Sequence, residues 1–213
     1  MAVVSLTSFR TEPGRTEEHM ALHMEAAERL HGMGMAAAPL QVLAGGDVGT
    51  LAMSVNYASN ADWVAGTKKL QSDSGWQEFY RKAMGTGAAT QAESSLFVDV
   101  DPNFEAAGRT LGVVLAVQWQ ARPGRLADFM GKVVESFPHI ERMGGRPRAM
   151  QSMIGAHPMT TLISTVFDDL DAYGTYADQL AGDSEWQAFW AGALSDPTAE
   201  IIRSGVYVNM MNG

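Results

Sequence analysis

Two histidines four residues apart, His19 and His23, are the side chains of this chain best suited to proton or ligand chemistry. On an α-helix that spacing is about 40° of rotation, so both rings project from one face. An imidazole titrates near neutrality. It can move a proton, or clamp a phenolic or enolic group by hydrogen bonding. The pair also suits zinc or another divalent ion if a third ligand joins it. Glu12 and Glu18 are the nearest carboxylates in sequence, and no His-Glu-x-x-His pattern occurs. An axial haem role is a further reading. Against all of these stands a structural one: two core rings bonded to backbone, or to Ser54 and Asn56 across a gap.

The chain itself supplies a control. Asp73-Ser74-Gly75-Trp76-Gln77-Glu78-Phe79-Tyr80 returns, altered, as Asp183-Ser184-Glu185-Trp186-Gln187-Ala188-Phe189-Trp190. Pro13-Gly14-Arg15 returns as Pro123-Gly124-Arg125 at the same offset of about 110 residues, with no gap between the anchors. In the second copy Leu126, Phe129, Met130, Val133, Val134, Phe137 and Ile140 make a broad apolar helical stripe. The first copy has Thr16, His19, Met20, His23, Met24, Ala27 and Leu30 there. His19 thus replaces Phe129 and His23 replaces Val133, on a helix face that must point inward.

The elements that position this helix follow in the same order in both copies. Val3 to Arg10 and Val113 to Gln120 alternate as strands. The helix comes next and ends at Met33-Gly34 or Met143-Gly144. Leu40 to Ala44 and Met150 to Ile154 read as second strands, and Leu51 to Tyr57 and Thr161 to Phe167 as third. The turns between them are Gly45-Gly46-Asp47 and Gly155-Ala156-His157-Pro158. Asn60 or Asp62 can cap a second helix. Ser74 to Gln77 and Ser184 to Gln187 have the capping-box spacing for a short third one. Ser95 to Val100 and Gly205 to Met210 close the units. This is a split β-α-β order, an α+β ferredoxin-like unit twice over. We expect a first unit over 1–101, a linker over 102–111 that contains Pro102, Asn103 and Gly108, and a second unit over 112–213. The candidate pocket belongs to the first.

The turn Glu12-Pro13-Gly14 and the segment Ser72-Asp73-x-x-Trp76-Gln77-x-Phe79 resemble the dimeric α+β barrel superfamily, in its NIPSNAP-like and antibiotic-biosynthesis-monooxygenase-like branches. The resemblance covers nearly the whole chain twice. It implies two antiparallel sheets, each with helices on one face, pairing into a barrel that a tandem fusion could build within one chain. It also implies a ligand pocket between the sheet and the helices of one unit. Members include cofactor-independent oxygenases of aromatic polyketides, isomerases, cyclases and haem-handling proteins, and no catalytic motif is shared among them.

On this basis His19, His23 and Asn56 are the expected catalytic residues. Phe9, Met20, Met24, Ser54, Tyr57 and Trp63 are the expected pocket walls, and the metal ligands are unknown. The expected function is an enzyme acting on an aromatic or polyketide-like molecule by oxygenation, isomerisation or cyclisation, with histidine as acid or base. No cofactor is expected to be required, with haem or a divalent metal as the alternative. A non-catalytic binding or stress-related barrel and a haem or metal protein are the competing functions.

The 213 residues carry a net charge of -9 and no cysteine, which excludes disulfides and thiolate chemistry. With no Lys/Arg cluster, neither nucleic acid nor an anionic membrane surface is an expected partner. A small hydrophobic molecule is, and a homodimer is possible. The N-terminus lacks a signal-peptide pattern, so a cytoplasmic location is expected. Arg146 and Arg148 read as solvated charges, and His31, His139 and His157 as surface residues.

Overall fold

A computed structural model of the chain describes residues 1–46, 49–102, 104 and 111–212. Asp47 of the expected turn lies outside the described residues, as do Asn103, Gly108 and most of the expected linker.

The first half runs β1 (Val3–Thr11), α1 (Thr16–Gly32), β2 (Ala36–Gly45), β3 (Thr50–Tyr57), α2 (Asn60–Ser72), α3 (Ser74–Gly85) and β4 (Ala89–Asp99). The second repeats it as β5 (Val113–Ala121), α4 (Leu126–Arg142), β6 (Arg146–Ile154), β7 (Thr161–Phe167), α5 (Leu170–Gly182), α6 (Ser184–Ser195) and β8 (Ala199–Asn209). The fold is α+β. Gly34 and Gly144, past the ends of α1 and α4, have φ of 78° and 89°, the left-handed geometry that lets a chain leave a helix abruptly.

Strands β2 and β4 begin earlier than their apolar patterns suggest. Ala36 to Pro39 has no alternation to detect, and Ala89 to Ser94 is largely polar. Both stretches are nonetheless held by neighbours, β3 for the first and β1 for the second. The expected capping box is also replaced. Asp73 and Asp183, one residue earlier, accept hydrogen bonds from the Trp76 and Trp186 amides at 2.7 Å. The Gln77 and Gln187 side chains reach back to the Leu70 and Leu180 carbonyls instead. Ser59, not Asn60 or Asp62, caps α2. Trp76 and Trp186 themselves are half-buried.

All eight strands close into one antiparallel barrel in the order β1-β3-β2-β8-β5-β7-β6-β4. The two seams between the halves, β2 with β8 and β4 with β6, have matching registers. Leu40 faces Asn209 as Met150 faces Asp99, and each seam carries an irregularity at the corresponding place. Alternation along each strand then sorts side chains into two compartments. Ser5, Thr7, Phe9, Met53, Val55 and Tyr57 face the helices, whereas Val4, Leu6, Ser54 and Asn56 face the barrel interior.

The repeat equivalence has one consequence for the interior. Glu93 and Arg203 are separated by 110 residues, so they occupy the same position in the two halves, yet they bond each other in two places, at 2.6 and 3.0 Å. A barrel of two identical units would set Glu against Glu, or Arg against Arg. Burial alone would raise the Glu93 pKa. Hydrogen bonds from Arg203 and Ser95, with the Arg203 charge, outweigh it and hold the carboxyl below its ordinary value. Reversing one charge, Arg203→Glu, should cost about 1–3 kcal/mol in urea denaturation, the buried-pair figure reduced for partial exposure. Glu93→Arg with Arg203→Glu should recover much of that loss. A double variant no more stable than the single one would show that the pair does not join the halves.

Candidate functional site

Helix α1 lies over β2 and β3 and buries His19, His23, Ala27 and Leu30. Its N-terminal half leaves a cavity of about 280 Å³ between the helices and the sheet. His19 and His23 are 5% and 4% exposed and both line it, with Phe9 from β1, Tyr57 from β3, and Trp76 and Tyr80 from α3. The rings of Phe9, His19 and His23 stand mutually edge-on, with centroids 5.7–6.3 Å apart.

The two imidazoles have different surroundings. Nδ1 of His19 lies 2.8 Å from the Thr11 hydroxyl. Nε2 of His23 is buried and has no hydrogen-bond partner among the described residues. Loss of hydration pushes the His23 pKa from 6.5 down to about 4; the nearby Ala52 backbone opposes this and the His19 charge adds to it. Burial lowers His19 as well. Both rings are therefore neutral at pH 7. Burial raises the Tyr57 pKa, so its hydroxyl keeps its proton.

The same space in the second half is filled. Trp119, Phe129, Val133, Phe137 and Ile163 pack into one apolar cluster there. Trp119 lies 5.9 Å from Phe129 and 6.2 Å from Trp190, ring to ring. The corresponding first-half residues are Phe9, His19, His23, Ala27, Met53 and Tyr80. Most of these are smaller, and together they open the cavity.

The structure brings together His19, His23, Phe9 and Tyr57 from the expected site. It does not bring Asn56 or Ser54 to them. Both lie on the opposite face of β3, in the barrel interior, where Asn56 accepts a hydrogen bond from Arg148 at 2.9 Å. Met20 and Met24 line a separate shallow groove between α1 and the β2–β8 seam, with Gln41 and Val208. Trp63 is half-buried on α2, outside the cavity lining. Arg148 is not a solvated charge: it bonds Asp99 twice at 2.7 Å inside the barrel. His139 is half-buried against Trp186 and Phe189. Trp76, Tyr80 and Thr11 were missed as site residues. The change from Trp190 to Tyr80 between the copies was the available signal.

No protein-family model matches the chain, and no curated protein is similar to it by sequence. Solved structures are similar in fold. A candidate monooxygenase from Fusobacterium nucleatum aligns with a TM-score of 0.66 at 12% identity, over 98% of this chain and 94% of that one. An anthrone oxidase-like protein aligns at 0.63 and 12%, over 98% and 91%. A haem-binding protein from Thermus thermophilus aligns at 0.54 and 10%, over 98% and 90%. At such identities the likeness concerns the fold. The chain shares their fold, two α+β units in one polypeptide that close a single antiparallel barrel.

This set corrects the expectation that no cofactor is required, because a protein of the same fold binds haem. His23 has the donor chemistry that haem iron takes, a neutral imidazole with an unpartnered ring nitrogen. Other needs of haem are not met in this arrangement. No Lys or Arg is among the cavity-lining residues to pair the two propionates. The volume, about 280 Å³, suits a small planar molecule rather than a macrocycle that carries two propionates. The cavity as it stands therefore does not fit haem. For a divalent metal the third ligand is missing: Glu12 accepts from Thr90 and Glu18 from Arg15. Among the described residues no group of three or more His, Asp or Glu could hold an ion.

The depressed His23 pKa predicts a pH dependence. The folded state takes the proton only near pH 4 and the unfolded chain near 6.5. Stability is therefore full above about 6.5 and falls as pH drops towards 4, by roughly 3 kcal/mol from this group. His23→Val removes the titration. Its denaturation midpoint should change less between pH 6.5 and 4 than the parent's. Parallel curves would mean that His23 is solvated in the folded protein.

Proposed function

We propose that the cavity under α1 and α3 binds a flat aromatic or polyketide-like molecule, and that the chain is an enzyme acting on it by proton transfer to histidine. One observation carries this reading. His23, a residue of the wall of an apolar cavity, carries a buried Nε2 without a partner at a place where the second half has valine. An unpaired buried polar atom costs about 1–3 kcal/mol. Such conflicts concentrate at functional sites.

The geometry supports a defined division of work. Phe9, Trp76 and Tyr80 offer ring faces and edges to a planar ligand. Tyr57, held as the neutral phenol, can donate to a ligand oxygen. Nε2 of His23 accepts the proton of a phenol, enol or activated C–H group. A base with a pKa of about 4 is weak while the cavity holds no charge. Transfer leaves an anion on the ligand beside the new imidazolium, and an opposite charge within about 4–6 Å raises the imidazole pKa. The basicity is thus developed by the bound ligand. His19, fixed through Thr11, is the second ring in contact and backs His23. Nε2 has almost no solvent access, so a ligand engages it after a side-chain rotation in the wall.

Such an anion is the species that oxygenation, isomerisation or cyclisation would consume. The fold likeness to an anthrone oxidase-like protein makes a hydroxylated anthrone a reasonable first probe. We expect dithranol to quench Trp76 fluorescence saturably and, in air-saturated buffer with dioxygen as the oxidant, to be consumed faster with the protein than without it. His19→Phe with His23→Val copies the second half. It should fold at least as stably as the parent and lose the consumption by about 10²–10⁴-fold, the usual contribution of a positioned acid or base. Saturable binding with no consumption would leave a binding protein. A double variant as active and as stable as the parent would remove the histidines from the site.

A further inference from the structure

The barrel interior is a second cavity, of about 640 Å³, separated from the histidine cavity by the sheet. Eight strands enclose a space that side chains either fill or leave for one small ligand. Here it stays open because small residues, Ala38, Ser54, Ala116, Ser164 and Ser204, stand at inward positions on β2, β3, β5, β7 and β8. The remaining wall is mostly apolar, with Val4, Leu6, Leu40, Phe97, Met150 and Leu162.

The two ends differ. One is closed by a polar network: Arg203 holds Glu93 and donates to Gln118 at 2.6 Å, and Gln118 donates to the Thr160 hydroxyl at 2.6 Å. Gln118 and Thr160 are each 1% exposed. At the other end the exposed residues His31, Ala36 and Asn212 join the lining and mark a mouth. Arg148 stands there, bonded to Asp99 and Asn56 near the ends of β4 and β3, with the Phe104 ring 4.1 Å from its guanidinium.

The polar groups of this interior are unevenly spent. Arg148 has five N–H donors, and its bonds to Asp99 and Asn56 occupy three of them. The hydroxyls of Ser54 and Ser164, at equivalent positions of the two halves, make no hydrogen bond among the described residues. The charges, by contrast, are balanced: Arg148 against Asp99, Arg203 against Glu93 and Arg146 against Asp168. A ligand carboxylate would add a further buried charge without a counter-ion, at a large desolvation cost. A pure hydrocarbon would leave the free donors unused.

We propose that the barrel interior is a second binding site, for one elongated uncharged molecule with an apolar body and a carbonyl or hydroxyl group held at the Arg148 end. It is independent of the histidine cavity. Calorimetric titration of the full chain with 2-decanone, 1-decanol and decanoate tests it. The ketone and the alcohol should bind one to one, and decanoate at least about tenfold more weakly. Ser164→Leu, and separately Ser54→Leu, fill the interior from opposite walls and should each weaken the ketone by about tenfold or more. The His19→Phe, His23→Val double variant should bind it like the parent. Photocrosslinking of the unaltered chain with benzophenone, a neutral ketone, covers the case in which the leucine variants fail to fold. Labels on Met150 or Leu162 support the proposal. It is overturned by labels confined to Leu22 or Met84 of the histidine cavity, by no label at all, by no saturable binding, by decanoate binding most tightly, or by ketone binding that only the histidine variant loses.

Discussion

Closing one sheet on itself imposes the constraint on which the rest of the molecule depends. Once β2 pairs with β8 and β4 with β6, each of the described strands is paired on both sides. Each inner residue must then face either the lumen or the helices. The register is fixed by backbone hydrogen bonds, and a slip of one residue would exchange the two compartments. Ser54 and Asn56 therefore cannot meet His19 and His23, however close they lie to Val55 and Tyr57 in sequence. One strand, β3, serves two unrelated chemistries: a buried ionic network on one side and an aromatic pocket on the other.

How much of this was legible in the sequence follows from the same constraint. The gap-free repeat revealed the ferredoxin-like order, because equivalent elements keep their spacing. The histidine pair was legible because the second copy shows what its helix face buries. The contents of the lumen were not. Arg148 lies beside a proline in a segment with no alternation, and nothing local to it announces Asp99, 49 residues away. Glu93 and Arg203 each look like an ordinary surface charge, and their pairing exists only once the barrel closes. The caps were misplaced by one residue because serine and aspartate are adjacent at both α3 and α6, and both are good N-caps. Met20 and Met24 share the helix of the histidines but border the β2–β8 seam instead of the cavity, which a broad stripe does not distinguish.

The two copies have diverged in opposite directions. In the second half Trp119, Phe129, Val133 and Phe137 complete a packed core, and dense packing is what stabilises a small α+β unit. In the first half the same positions hold smaller or polar residues, and a cavity stands where that core would be. A cavity and two buried imidazoles are both destabilising. The fusion makes this tolerable, since the intact second half is tethered to the first and shares two strand seams with it.

The fusion also permits something that two separate identical units cannot have. In a symmetric dimer, any residue near the two-fold axis meets its own copy, so a charge there meets a like charge. Within one chain the two positions mutate independently, and Glu93 with Arg203 is the result. The same freedom accounts for the other end of the barrel, where Asp99, Arg148 and Asn56 correspond to Asn209, Ala38 and Val166. A bulky ion pair occupies one side of the mouth and small or neutral residues occupy the other. A symmetric pair of large residues would crowd the lumen, and a symmetric pair of small ones would leave it without an anchor. The open, one-ended interior and the single histidine cavity are thus two expressions of one physical cause: symmetry retained in the backbone hydrogen bonds and broken in the side chains.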